Sequence, residues 1–338
     1  MRILVTGATS GLGRNAAQWL LEEGHRVIAI GRNRQVGAEL QALGAMFIAQ
    51  DLTLSTDEMF SHLVQGCDAV WHCAAKSSPW GKAQEFFNTN VVVTEKLAFA
   101  AGREGVERFV HISSPAVYFD FRHHHNLVET CRASRFSSQY ATSKYAAEQV
   151  LKKSVDRFPD TIYVILRPRG LFGPHDRVIV PRLMQQLSAK RNVLHLPGGG
   201  EALLDLTFVL NVVHAMDLAT RNQSLHSGSV YNITNHQPEK LADIVDSLLN
   251  QKLNYNCTLR ALPYSLLHMA ASIMELIAKV TGKEPLLTRY SVGAVYFDMT
   301  LSSQRAINEL GYHPLYSLEK GIELTGEWLR VQGKGRHG

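Results

Sequence analysis

The stretch MRILVTGATSGLG, residues 1–13, decides the fold. Arg2–Thr6 is a short apolar run of the kind that forms a buried strand. Glycines follow at 7, 11 and 13, and residues 14–24, RNAAQWLLEEG, have helical spacing up to a terminal glycine. A strand that passes through glycines into a helix is a phosphate-binding design. Glycine permits a tight turn and close approach of backbone to a pyrophosphate, while the free N–H groups and dipole of the helix start favour negative charge. Glycines alone would be a weak signal; their place between strand and helix is the confirming context. Gly7, Thr9, Ser10, Gly11, Leu12 and Gly13 are therefore expected around a dinucleotide.

Outward from this stretch, short runs rich in β-branched residues alternate with helical patterns: RVIAIG, AMFIAQ, DAVWHCAA, RFVHISS, IYVILRP and later YNIT. Such alternation implies right-handed βαβ crossovers and a doubly wound α/β fold, a parallel sheet of the Rossmann type with helices on both faces. Strands this apolar should be covered on both sides, and ligands should lie beyond their carboxyl ends. The rhythm loosens after Pro168. Residues 1–173 and 204–234 are expected to form the dinucleotide-binding domain, residues 174–203 and 235–330 a smaller, mostly helical substrate domain, and residues 331–338 a flexible tail.

Composition agrees with a globular enzyme. Of 338 residues, 45% are hydrophobic and 19% charged, enough to sustain a large core without staples. The 35 Lys and Arg exceed the 30 Asp and Glu by a net +5 spread along the chain, with no basic cluster laced with aromatics, which argues against nucleic acid as a partner. Cys67, Cys73, Cys131 and Cys257 show neither CxxC spacing nor the density of a disulfide framework, so reduced thiols and a cytoplasmic setting are expected. No apolar run approaches the ~20 residues of a membrane span.

The end of the second strand bears on the cofactor. A ribose 2′-hydroxyl is held by an acidic residue ~20 positions after the glycines, whereas a 2′-phosphate needs a cation. Gly31 stands where the acid would be, and Arg32 and Arg34 follow, which favours NADP(H) over NAD(H). Asp51 suits the adenine edge or the cap of the helical run at residues 53–59.

SSQYATSKYAAEQVL, residues 137–151, sets Tyr140 and Lys144 on one face of a helix. A phenol near pKa ~10 is a poor acid or base at neutral pH unless a nearby cation stabilises its phenolate, and Lys144 is placed to do so. HISSPAVY closes the fifth strand with Ser113 and Ser114, either of which could orient a carbonyl beside the tyrosine.

In this order, TGxxxGxG, Asp51 with Leu52, HCAA, ISSPAVY, YATSK and LRPRGLFGPHD resemble the short-chain dehydrogenase/reductase superfamily, in its extended subgroup and its 3β-hydroxysteroid dehydrogenase branch. Within that branch, AAKSSPWG (74–81), LRPRGLFGPHDRVIVPRL (166–183) and LLDLTFVLNVVHA (203–215) are similar to bacterial 2-alkyl-3-oxoalkanoate reductases and to sterol-4α-carboxylate 3-dehydrogenases. The resemblance implies Tyr140 as acid/base, Lys144 as its partner and ribose ligand, and Asn90 as support for the lysine and its water. It implies Ser114 as the positioning hydroxyl, since Ser114 lies four residues before Tyr118 in an SxxVY pattern. It sets Ala74 and Ala75 beside the adenosine ribose and backbone near Pro168, Gly170 and Leu171 against the nicotinamide. Lys76, Ser78, Trp80, Ser114 and Pro115 fall on the substrate side. Two departures stand out: the glycine spacing is that of the shorter subgroup rather than GxxGxxG, and Leu210 with Asn211 replaces a usual VDN, a change expected to touch substrate contacts.

YSLLHMAASIMELIAKV, residues 264–280, carries Ser265, His268, Ser272, Glu275 and Lys279 as one narrow polar stripe, with apolar residues elsewhere. Such a face suits a substrate lid, a homodimer contact or peripheral membrane contact, and with it a hydrophobic substrate. His123, His124 and His125 have no Asp, Glu or Cys at useful spacing, so no metal is expected. The expected function is an NADP(H)-dependent oxidoreductase interconverting a ketone and a secondary alcohol on a hydrophobic substrate, a 2-alkyl-3-oxoalkanoate or 3β-hydroxysteroid. The alternatives are a sugar-nucleotide epimerase or dehydratase of the same fold, or a non-catalytic nucleotide sensor.

Overall fold

A computed structural model of the chain describes residues 1–176, 183, 187 and 192–334. Residues 177–182 of the 166–183 stretch lie outside these, as do residues 335–338 of the expected tail. The first half of the chain runs β1 (Arg2–Thr6), α1 (Gly11–Glu22), β2 (Arg26–Gly31), α2 (Arg34–Ala42), β3 (Met46–Ala49), α3 (Asp57–Val64), β4 (Ala69–His72), α4 (Ala83–Phe86), α5 (Val93–Arg103), β5 (Arg108–Ile112), β6 (His124–Leu127) and α6 (Gln139–Arg157). It continues through β7 (Ile162–Pro168), β8 (Leu171–Phe172), β9 (Val193–Pro197), β10 (Leu203–Leu204), β11 (Thr207–Phe208), α7 (Val209–Arg221) and β12 (Ser229–Ile233). The last third holds β13 (Glu239–Lys240), α8 (Leu241–Asp246), β14 (Thr258–Leu262), α9 (Tyr264–Thr281), α10 (Arg289–Ala294), β15 (Met299–Leu301) and α11 (Leu318–Lys334).

Seven strands form one parallel sheet, ordered β12-β7-β5-β4-β1-β2-β3. Because successive strand side chains point to opposite faces, each apolar strand feeds two cores. Ile3, Val5, Trp71 and Val110 join Ala16 and Leu20 of α1 and Val213 and Met216 of α7 on one face. Leu4, Val70 and Phe109 join Phe60 of α3, Leu97 of α5 and Leu151 of α6 on the other. Each such side chain contributes about 1.5–3 kcal/mol on burial, which explains why continuous apolar runs end up in the middle of a two-faced sheet. β2 and β3 lie to one side of β1, and β4 and β5 to the other, so the winding reverses between β1 and β4. The crevice beyond the carboxyl ends of those strands is where such sheets bind ligands.

Outside the main sheet, β13, β10, β15 and β6 form a four-stranded sheet, β11 pairs with β8, and β14 with β9. The part expected to be mostly helical thus carries strands as well; its strands run two to five residues, too short to show period-two patterning against their surroundings. α11 extends through Lys334, into the expected tail.

α9 is turned opposite to the usual amphipathic arrangement. Of its polar stripe Glu275 is buried, beside Ala271 and Ala278, while Ser265 and Lys279 stay exposed; Glu275 accepts from the backbone N–H of Arg289 at 2.7 Å and from its Nε at 2.8 Å, tying α9 to α10. Leu266, Met269, Ile273, Leu276, Ile277 and Val280 are exposed, and Val280 is 85% accessible. At 100° per residue these six fall within one narrow arc, so the apolar face looks outward and does not serve as a lid over the crevice.

β7 and α6 are locked together by a buried ion pair. Arg167 donates from Nε to Glu148 Oε1 at 2.8 Å and from Nη2 to Oε2 at 2.6 Å, and from Nη1 to the Tyr118 hydroxyl at 2.6 Å and the Glu129 carbonyl at 2.9 Å. Ser113 donates to the same Glu148, and the Tyr118 hydroxyl donates onward to Asn232 Oδ1 at 2.7 Å. Removing one partner of such a pair strands the other charge. Arg167→Met is therefore expected to lower unfolding free energy by about 3–5 kcal/mol, read by denaturant titration; a loss under about 1 kcal/mol would show that the network does not hold these elements together.

Candidate active site

Beyond the β1–β4 reversal lies a cleft of about 560 Å³ that accepts residues from nearly every strand end. The glycine stretch forms its floor. Gly7, at φ +68°, lies so close to β4's continuation that a Cβ would stand 2.9 Å from the Ala74 backbone, and a Cβ on Gly13 would fall 2.4 Å from the Gly7 carbonyl oxygen. Any side chain at these two positions would push the α1 start away from the sheet, which is the physical content of the motif. Gly11 has φ +49° and open space around it, so its requirement is the backbone turn alone. Ser10 makes no side-chain cap and the first turn of α1 carries no acid, leaving an electropositive helix start open to an anion. The GPHD segment straps this start: Gly11 N–H donates to the His175 carbonyl at 3.1 Å, and Asn15 Nδ2 donates to the Pro174 carbonyl at 2.8 Å. These residues fit the pyrophosphate of a nicotinamide dinucleotide.

At the far end of the cleft, a Cβ on Gly31 would strike the Thr9 side chain at 2.4 Å. Arg32 is mostly exposed and stands 3.6 Å from Asp51. Asp51 both lines the cleft and caps the single 3-10 turn at Leu52–Leu54, accepting from Thr53 N–H at 3.0 Å and Thr53 Oγ1 at 2.7 Å; those bonds hold its carboxyl below the ordinary value. Arg34 begins α2 and does not line the cleft.

α6 brings the catalytic candidates in from the side. Ser138 caps the helix, accepting from Ala141 N–H at 3.1 Å, and Tyr140 sits in its first turn with its phenol in hydrogen-bonding reach of Ser114. Ser113 points the other way, to Glu148. The two serines that spacing left open therefore differ: only Ser114 faces the tyrosine. Burial pushes Tyr140 up to about 12 and Lys144 down to about 8. Lys144 Nζ donates to the Ile112 carbonyl at 2.6 Å, a bond that fixes the position of its ammonium. Near the lysine, the His72 and His111 rings lie 5.3 Å apart, tilted by 33°, and burial and the nearby Lys144 charge hold both imidazoles well below their ordinary value.

Pro115, Ala74, Ala75, Ser78, Leu52, Pro168, Gly170 and Leu171 all line the cleft. Three expected site residues do not. Lys76 turns its ammonium to Glu85 at 2.7 Å, a pairing that i-to-i+9 spacing across a loop did not reveal. Trp80 is half-buried outside the cleft lining. Asn90, inside the π-helical turn at Phe87–Val92, bonds the Lys76 backbone in both directions at 2.7 and 3.0 Å and donates to Ser143 at 2.9 Å; it fixes the loop after β4 rather than touching Lys144. Asn211 is also outside the cleft, spent on Asn235 and Tyr316, so the departure at 210–211 bears on packing instead of substrate. His123 and His125 both approach Asp298, at 3.2 and 3.5 Å, a partner far along the chain, and His124 meets Asp120 at 2.8 Å, an i,i+4 partner that the expectation of no carboxylate at useful spacing overlooked. Among the described residues no three such side chains converge on one ion.

The cleft also holds residues not singled out as site residues: Arg169, Leu204 and Leu206, which lie within the quoted 166–183 and 203–215 segments, and Tyr290, Ala294 and Val295 of α10. The Thr288 and Ser291 capping box that starts α10 is readable in sequence and would have located this helix, though not its destination.

Comparison with known proteins agrees with this geometry. Residues 3–234 match the NAD dependent epimerase/dehydratase family. The chain is 45% identical over 336 residues to the uncharacterized protein YbjS of Escherichia coli, covering 99% of each. It is 31% identical over 334 residues to a 2-alkyl-3-oxoalkanoate reductase of Stenotrophomonas maltophilia, covering 95% of this chain and 97% of that one. Among solved structures, UDP-glucuronic acid 4-epimerase from Bacillus cereus, in complex with UDP-glucuronic acid and NAD, superposes with a TM-score of 0.77 at 23% identity, over 98% of this chain and all of that one, a likeness of fold. The chain belongs to the NAD dependent epimerase/dehydratase family, the extended short-chain dehydrogenases/reductases.

Proposed function

We propose that the protein is an NADP(H)-preferring oxidoreductase that interconverts a ketone and a secondary alcohol on a hydrophobic substrate. The observation that carries this is the Ser114 and Tyr140 pair, facing each other across the cleft between the glycine floor and an apolar end. A nicotinamide bound there supplies hydride exchange with the substrate carbon. The chain supplies the rest. Ser114 and Tyr140 hold the substrate oxygen, and Tyr140, protonated at neutral pH because burial raises it to about 12, is poised to give its proton to that oxygen in reduction. Lys144 keeps a positive charge near the developing phenolate while it remains protonated, and its backbone anchor at Ile112 fixes where that charge sits. The named reductase relative supports a ketone substrate, and the apolar cleft end supports a greasy one over a sugar nucleotide.

NADP(H) preference is supported by Gly31, which leaves the β2 end without a carboxylate, and by Arg32 at the cleft edge. Arg32→Ala should weaken NADPH binding far more than NADH binding in fluorescence titrations; equal losses would sink the 2′-phosphate assignment.

The chemistry is tested by reduction of a long-chain 2-alkyl-3-oxo acid and of a 3-ketosteroid. Tyr140→Phe should lower kcat by about 10²–10⁴-fold with cofactor affinity retained. Unchanged turnover in that variant, or an active wild-type enzyme on UDP-sugars alone, would overturn the reading. Because Lys144 is charged below about 8 and neutral above it, the rate of reduction should decline as pH rises through that value. A profile flat from pH 6 to pH 10 would rule out a role for its charge.

A further inference from the structure

Two arginines stand two residues apart at the end of β7, and among the described residues only Arg167 has a paired counter-charge. Arg167 is consumed by Glu148. Arg169 enters the cleft instead, with its backbone pinned at both sides: its N–H donates to the Ile233 carbonyl at 3.2 Å, and its carbonyl accepts from Thr207 Oγ1 at 2.6 Å. Its side chain donates from Nη2 to the Ala294 carbonyl at a long 3.4 Å, and among the described residues its buried Nε has no hydrogen-bond partner. Asp205 influences it only through space, without an ion pair, and is itself buried with one carboxylate oxygen bonded to Leu301 N–H. A desolvated guanidinium with unspent donors is costly unless an anion completes it.

The surroundings say what sort of anion. The described lining at this end is apolar, with Leu204, Leu206, Val295 and Met299 among it, and Arg169 is its charged member. Tyr140, Tyr290 and Arg169 line the same cleft, and Tyr290 lies in electrostatic reach of both others, so one ligand in the cleft can meet the group that handles the substrate oxygen and the cation together. A ligand spanning them carries a carbonyl or alcohol oxygen, an anionic group close beside it and apolar bulk around both.

We propose that Arg169 binds the carboxylate of the substrate, and that the enzyme selects 3-oxo and 3-hydroxy acids with apolar 2- or 4-substituents over the corresponding esters and simple ketones. In such an acid the carboxylate is separated from the oxygen-bearing carbon by a single carbon. The fork of a guanidinium can hold it through two parallel N–H···O bonds, which a lysine cannot reproduce. The assignment rests on the oxidoreductase reading and names the residue that sets its substrate class.

The test follows oxidation by NADP⁺ of a long-chain 2-alkyl-3-hydroxy acid and of its methyl ester, in wild type, Arg169→Gln and Arg169→Lys. Wild type should prefer the acid. Arg169→Gln should lower kcat/KM for the acid by about 10–100-fold, chiefly through KM, while moving the ester by under about threefold, as loss of a charged hydrogen bond predicts. Arg169→Lys should recover part of the acid's KM and serves if the glutamine variant does not fold. Equal losses on acid and ester, or a wild-type preference for the ester, would overturn the carboxylate site while leaving the oxidoreductase reading intact. Turnover of neither by wild type would count against that reading, and calorimetric titration then decides the site: acid binding lost in Arg169→Gln supports it, and equal binding in both proteins overturns it.

Discussion

The paired bonds between Arg167 and Glu148 are the constraint on which the cleft depends. Arg167 closes β7, Glu148 lies one turn beyond Lys144 on α6, and through Ser113, Tyr118 and Asn232 the same pair reaches β5, the turn after it and β12. A charge pair this deeply buried is a poor source of net stability, but it is intolerant of displacement. It therefore fixes the axial position of α6 against the strand ends, and with it the height at which Tyr140 and Lys144 stand above the sheet. The neighbouring serines divide the labour: Ser113 belongs to the anchor and Ser114 to the cleft.

Sterics at the glycine stretch act on the opposite side of the cleft. The clearances at Gly7 and Gly13 hold the α1 start directly over the β1–β4 reversal, and the GPHD strap closes over it. Cofactor floor and proton-donating face are thus set by two unrelated physical devices, backbone close approach on one side and a buried ion pair on the other. The reactive space is what remains between them, and its third wall is α10, held to α9 through Glu275 and Arg289.

Much of this was legible in residues 1–176. Glycines between a strand and a helix, an i,i+4 Tyr140 and Lys144 pair, and a serine-rich strand end are local patterns, and local geometry alone determines what they present. Where the structure departs from these patterns, contacts between different elements and loops decide the outcome. Glu275 and Arg289 tie α9 to α10 and leave its apolar face outward, Asp298 meets His123 and His125 from 175 and 173 residues on, and Lys76 and Asn90 are held at the loop after β4.

By itself, the sequence determined the parallel sheet, the dinucleotide floor and the identity of the proton-donating tyrosine, because each follows from periodicity or from spacing within one turn of backbone. The tertiary structure alone decided that Ser113 is spent on Glu148, which arginine is neutralised and which is left in the cleft, and which face of α9 meets water. Arg167 and Arg169 are the same residue type two positions apart; a carboxylate delivered by a different helix separates them, and no property of the strand that carries them could have done so.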